Sequence, residues 1–376
     1  MKILIIVRIL WPGGVQRIAF AEAKGLIDLG NDVDLVFIRD TGRVGYDDKI
    51  KYNAIYKTDI QNRFIGKILK IITHHYSPER GSDATVDLDL IYKFEHSITK
   101  KYDIIYCFDE FTALFVKRLK KIFKSKIIVL IHEVALKEGG FLSKSIQKYA
   151  CKNADLILTN TKFNLNLLKE YGYNNSYEVY PGLYYKNNPT DFYEKENIAI
   201  SVTMWDSGRH PEIFLNIARN LNFGKIVLIG NWADNFYFDK FKNTIKNENL
   251  SHKLSVTGAV SEEELNEFYL KAKVSIRFGY NEKGPGMGSL ESLSYGLPII
   301  YNNGIGIKEI LEDNINGYKL NENDYSKIAN QINILFSNNE LWENIHKNNL
   351  KIANEYSWES HNIKLNKILE NTLKFN

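Results

Sequence analysis

The sequence predicts an α/β protein built from two doubly wound, Rossmann-like domains, and three observations carry that reading. At 376 residues the chain is longer than one ordinary core and suggests two domains. Short apolar runs alternate with amphipathic helical ones, which is the pattern of βαβ units in a parallel sheet. The alternation breaks once, over the polar stretch 181–196 with Pro181, Gly182 and Pro189, and resumes at Ile198. That stretch is the expected linker.

The elements follow in order. Residues 3–7 read as the first strand, and a Gly-Gly turn leads into a helix over 15–29. There Ile18, Ala19, Ala23, Leu26 and Ile27 recur at helical spacing, and Gly30 sits where a helix stops. Strands are predicted at 33–38, 104–107, 127–131 and 156–160, with helices near 111–123 and 142–150. The second half repeats the plan: strands at 199–203, 226–229, 254–257, 274–277 and 298–301, and helices at 212–221, 236–247, 262–271, 289–295 and 307–312. From Tyr325 onward the signal is mostly helical, with Trp342 and Trp358 as large apolar anchors.

Composition excludes several classes. With 44% hydrophobic, 13% aromatic and 25% charged residues, the chain folds and is not disordered. Cys107 and Cys151 are too few for a disulfide framework and lack the C-x-x-C spacing of a zinc or redox motif, so a reducing, cytoplasmic setting is expected. The apolar run at 1–10 is short, is broken by Arg8 and lacks a cleavage site, and therefore reads as a buried strand. No run reaches the roughly 18–20 apolar residues that span a bilayer, so membrane contact is expected only at the periphery.

Charge is unevenly shared. Residues 1–190 hold 29 Lys and Arg against 21 Asp and Glu, and the remainder hold 20 against 24. Lys117, Arg118, Lys120, Lys121, Lys124 and Lys126 flank apolar residues, and so do the cations of 63–72. Such amphipathic basic surfaces suit anionic lipid, although an ordinary helix lying over a sheet looks the same. No nucleic-acid-reading motif accompanies the charge.

In open parallel sheets ligands bind outside the carboxyl ends of the strands, so a cleft between two such sheets is expected, with the motifs at strand ends. Gly13 and Gly14 open the first helix, where backbone amides can approach an anion, though turn sterics alone also use glycine there. No third glycine completes a dinucleotide fingerprint, which argues against a nicotinamide dehydrogenase. His132 follows an inner strand and can bond a hydroxylated ligand. Arg209, in Ser207-Gly208-Arg209-His210-Pro211, offers a planar fork for phosphate. The densest segment runs from Tyr280 through Glu282, Lys283, Gly284, Gly286, Met287, Gly288, Ser289 and Glu291 to Gly296-Leu297-Pro298. Amides at such a helix start can hold a diphosphate, and a carboxylate one or two turns in can accept ribose hydroxyls. No carboxylate pair stands out as the acid and nucleophile of a glycosidase.

Taken in order, the N-terminal Gly-Gly, His132, Ala154 to Thr161, Val179-Tyr180-Pro181-Gly182, Arg209-His210-Pro211, Ile229-Gly230, the 282–298 segment and Tyr356-Ser357-Trp358-Glu359 resemble the GT-B glycosyltransferases of family 4. The resemblance covers nearly the whole chain. It implies a retaining, metal-independent transferase that needs no cofactor and takes a sugar from a UDP- or GDP-sugar to a hydroxyl of a glycan or lipid-linked acceptor. It further implies an acceptor-binding domain at 1–185, a nucleotide-sugar-binding domain at 190–355 and a helix at 356–376 crossing back to the first.

By the same resemblance, Gly14 would approach the donor diphosphate or the acceptor, and His132 would contact the transferred sugar. Arg209 would sit on the phosphates, the amides of Gly286 to Ser289 would hold phosphates or sugar, and Glu291 would bind ribose. Two departures stand out. The family's two glutamates are seven residues apart, which places Lys283, not Glu282, at the first position unless one residue is inserted. The family's Gly-Arg before the phosphate-binding cation reads here as Val202-Thr203 or Thr203-Met204, so Arg209 acts alone or Lys283 supplies the second charge. A non-catalytic sugar-nucleotide or glycan-binding protein and a GT-B nucleotide-sugar epimerase are the alternatives.

Overall fold

The computed structural model describes residues 1–10, 14–40, 52–54, 94–136, 141–183 and 191–374. They form two compact units, Leu183–Ser357 and Met1–Gly182 with Trp358–Asn376.

The first unit is a seven-stranded parallel sheet of β1 (Lys2–Leu10), β2 (Asp32–Asp40), β3 (Tyr52–Ala54), β4 (Ile104–Cys107), β5 (Lys126–Ile131), β6 (Leu156–Thr159) and β7 (Ser176–Glu178), in the order β3-β2-β1-β4-β5-β6-β7. Ile3 pairs with Ile104 and Ile128 with Leu156. The inner strands are buried on both faces, which is why they read as unbroken apolar runs rather than alternating ones. Helices α1 (Gly14–Asp28), α2 (Lys117–Phe123), α3 (Phe141–Asn153) and α4 (Lys162–Glu170) connect them. Thr161 caps α4 through its side chain, and Gly30 takes a left-handed φ of 85° just past α1.

The second unit is a six-stranded parallel sheet of β8 (Ile198–Val202), β9 (Lys225–Ile229), β10 (Leu254–Val256), β11 (Val274–Arg277), β12 (Ile299–Tyr301) and β13 (Gly317–Lys319), in the order β10-β9-β8-β11-β12-β13. Its helices are α5 (Glu212–Asn220), α6 (Asn235–Asn247), α7 (Glu262–Lys271), α8 (Met287–Ser294), α9 (Tyr325–Ser337) and α10 (Asn339–Glu355). The strand order reverses between β8 and β11, which is where this topology opens a crevice at the strand ends.

The chain then returns to the first unit for α11 (Trp358–Lys374), which packs on α1. Glu22, only 2% exposed, meets His361 Nε2 at 3.0 Å, and His361 Nδ1 donates to the Tyr180 carbonyl at 2.7 Å.

The fold class is as the sequence predicts, with local differences, among them helix α4, which the sequence reading lacks. Strands β3, β7 and β13 are absent from the sequence reading, and the helix expected at 307–312 is a single 3-10 turn, Gly306–Glu309. The supposed linker is in part packed structure: Phe192 lies in a 3-10 turn against buried Trp342, whose indole N–H donates to the Lys273 carbonyl at 2.7 Å.

Candidate active site

In the second unit, three segments leave the neighbouring strands β8, β11 and β12 and converge. After β8 a 3-10 turn (Ser207–Arg209) ends in Arg209. His210 follows at φ 48°, its ring centroid 4.5 Å from that of Tyr280, and Pro211 occupies the N-cap of α5.

After β11 the chain turns through Asn281 at φ 61° and places Glu282. Its amide donates to the Gly304 carbonyl at 2.8 Å. The loop after β12 is held by Asn302, which accepts from the Gly279 amide and donates to the Gly279 carbonyl, both at 2.9 Å. Glu282 is therefore pinned by its backbone, and its carboxylate is free to serve two partners.

Those partners are both arginines. One oxygen of Glu282 accepts from Arg209, and the other takes Arg277 Nη2 at 2.7 Å. Arg277, at the end of β11, has a side chain only 6% exposed and also donates to the Phe278 carbonyl. Burial, aided by repulsion from Arg209, lowers its pKa to about 9. A guanidinium in such a setting needs an anion beside it, because an uncompensated buried charge is costly.

Helix α8 begins directly beyond. Gly286 is its N-cap at φ 73°, with no side chain capping the first turn, so the helix start presents backbone amides and the positive end of its dipole. Gly288 permits close approach to β8, because a Cβ there would overlap the Val202 carbonyl oxygen. Ser289 is fully buried, and its Oγ has no hydrogen-bond partner. In the next turn, Glu291 accepts from the Tyr269 hydroxyl at 2.8 Å, and Tyr269 stacks on Tyr295 at 4.8 Å between ring centroids.

In the first unit, His132 follows β5. Its Nε2 lies 2.8 Å from the Phe108 carbonyl, so Nε2–H donates and Nδ1 carries the lone pair of the neutral ring. Burial pushes its pKa down, which favours that neutral form, while Asp109 opposes the shift. The backbone carbonyl of His132 accepts from Asn164 at 3.1 Å. In the turn after β4, Glu110 has its pKa raised to about 7 by burial and by Asp109.

The structure thus brings Arg209, Glu282, Gly286, Met287, Gly288, Ser289 and Glu291 into one neighbourhood of the second unit. Gly14 is the first residue of α1, and Gly13 lies outside the described residues, as do the cations of 63–72. Lys283 follows Glu282, half-buried, with its carbonyl against Gly306. Arg277 is the residue that sequence reasoning missed. Its signal was a lone cation closing the apolar strand Val274-Ser275-Ile276, five residues before Glu282.

Comparison with known proteins now has a geometry to explain. The family model of Glycosyltransferase Family 4 matches residues 12–183, and that of Glycosyl transferases group 1 matches 166–352. HepE of Anabaena, solved with UDP and glucose, superposes with a TM-score of 0.79 at 15% identity, covering 99% of this chain and 100% of that one. A TarM variant of S. aureus, solved with fondaparinux, alpha-GlcNAc-glycerol and UDP, gives 0.73 at 14% identity, covering 98% and 99%. These likenesses define the class of fold as GT-B. Within that class, the two family models identify the chain as a glycosyltransferase-type protein resembling family 4.

Among relatives by sequence, an uncharacterised glycosyltransferase of Methanocaldococcus jannaschii is 26% identical over 224 residues, 59% of this chain and 61% of that protein. A poly(glycerol-phosphate) alpha-glucosyltransferase of Bacillus subtilis is 24% identical over 172 residues, 46% of this chain and 25% of that protein. The chain spans less than two thirds of the length of these curated relatives.

Proposed function

We propose that this protein is a retaining glycosyltransferase that moves a sugar from a UDP- or GDP-sugar to a hydroxyl of a glycan or lipid-linked acceptor, without a metal. The observation that carries the reading is the convergence of Arg209, Glu282 and the uncapped start of α8, with Glu291 one turn inside. In this reading the α8 amides and Arg209 hold the donor diphosphate, and Glu291 accepts the ribose hydroxyls. As the bond from the anomeric carbon to the diphosphate oxygen breaks, charge grows on that oxygen, where fixed cations and amide dipoles stabilise it. The acceptor oxygen bonds the anomeric carbon on the face the diphosphate leaves, and its proton passes to the departing diphosphate. His132 Nδ1 is the first unit's lone pair for a sugar hydroxyl.

The complexes of HepE with UDP-glucose and of TarM with UDP and alpha-GlcNAc-glycerol support a nucleotide-sugar donor and a hydroxyl acceptor. The Bacillus relative, an alpha-glucosyltransferase by name, supports retention. The test is thermal stabilisation by UDP, GDP and their sugars, followed by transfer of labelled sugar. One nucleotide should raise the melting temperature by mass action, Arg209→Ala should abolish the rise, and excess chelator should leave turnover unchanged. Absence of stabilisation by either nucleotide would sink the donor reading, and binding without hydrolysis or transfer would mark a non-catalytic protein.

The acceptor reading extends to a surface. Lys117, Lys121 and Lys124 are exposed around Ile122, itself 51% exposed, which suits peripheral contact with anionic lipid. Among the described residues no helix is long and apolar enough to cross a membrane. Vesicles containing anionic lipid should sediment the protein at low salt and release it at high salt. Equal recovery with neutral vesicles would remove the lipid contact from the proposal.

A further inference from the structure

We propose that Arg277 is a second diphosphate-binding cation, and that Glu282 occupies both arginines as an internal stand-in which the donor diphosphate displaces. The inference rests on the donor reading above and goes one step further, to the residue that completes the anion site and to the carboxylate that guards it.

The first argument is register. The end of β8 and the loop after it have Val202, Thr203 and Met204 where the family resemblance expects a Gly-Arg pair. Strand β11 lies beside β8 in parallel, with Val274 opposite Ala199 and Ser275 opposite Ile200. Continued two residues, that register sets Arg277 beside Val202. The cation missing from one strand end therefore stands on its neighbour.

The second argument is convergence. A Cβ built on Gly286 would lie 3.5 Å from Arg277 Nε and 3.6 Å from Ser289 Oγ. The guanidinium thus lies against the glycine that opens α8, next to a buried hydroxyl with no partner. Arginine forks, unpaired helix-start amides and an unsatisfied hydroxyl together form an anion receptor with bonds still to make.

The third argument is charge. Two guanidiniums meet the single carboxylate of Glu282, one at each oxygen. A diphosphate brings more negative charge and more acceptor oxygens than a carboxylate, so it can take both arginines from Glu282. Once displaced, the carboxylate is available to accept hydroxyls of the donor sugar. Engagement of the sugar then follows engagement of the diphosphate, and a bare nucleoside cannot trigger it.

The experiment is isothermal titration of the full chain and of the Arg277→Gln and Glu282→Gln variants with UDP, GDP and the corresponding nucleosides, alongside sugar transfer. Arg277→Gln should weaken binding of the preferred nucleoside diphosphate tenfold or more and leave nucleoside binding unchanged. Glu282→Gln should tighten diphosphate binding severalfold while lowering transfer. Opposite signs for two partners of one ion pair are not expected of a purely structural bridge. If Arg277→Gln fails to fold, Glu282→Gln decides: tighter diphosphate binding supports the proposal, and unchanged or weaker binding overturns it. A wild-type chain that binds neither UDP nor GDP overturns the donor reading itself. A wild-type chain that binds one of them, with both variants unchanged, overturns only the role of Arg277 and Glu282.

Discussion

Glu282 and Lys283 differ by one position, and backbone geometry separates their surroundings. Asn281 at φ 61° and the bond from the Glu282 amide to Gly304 turn that carboxylate onto Arg209, which no spacing rule could show. Arg277 was illegible for a related reason: a cation at the end of an apolar strand reads as the strand's exit to solvent, whereas its side chain is buried. Arg209 and Glu291 were legible, because a strand-to-helix loop and the first turns of a glycine-led helix are recognisable from residue type alone. At this scale Glu110 sets a pH dependence. Its folded pKa of about 7 lies above the ordinary 4.5, so the folded state holds a proton that the unfolded chain has already released. Stability contributed by protonated Glu110 is full below about 4.5 and is lost as the pH rises to about 7. Denaturation midpoints should fall across that window in the wild type, and Glu110→Gln should flatten the fall. An unchanged slope in the variant would assign the dependence to another group.

Among elements, the inner strands announced themselves, and three of the four edge strands did not. Strands β3, β7 and β13 have three residues each, too few to show a period, and each lies at a sheet edge. The glycines before α8 were visible in the sequence, but their reason was not. Gly288 is required because α8 starts against the Val202 carbonyl oxygen of β8. Gly288→Ala should cost about 1–3 kcal/mol through overpacking. It should also push the helix start away from the anion site, so nucleoside diphosphate affinity should fall together with the melting temperature. A variant that loses stability with affinity intact would show that the helix start is not where the diphosphate binds.

For the whole molecule, the two units differ in how the chain builds them. The second is one continuous segment, and the first needs two. Helix α11 brings His361 to Glu22, and removing one partner of a buried pair costs about 3–5 kcal/mol. Truncation after Ser357 should therefore abolish or sharply lower the melting transition of the first unit and leave that of the second in calorimetry. If both transitions survive at their wild-type temperatures, α11 is dispensable to the first unit.

The same discontinuity gives synthesis a direction. Helix α1 is made before the second unit, so its partner α11, which brings His361 to Glu22, arrives only after the 175 residues Leu183–Ser357 have been translated. The unit begun first is therefore finished last.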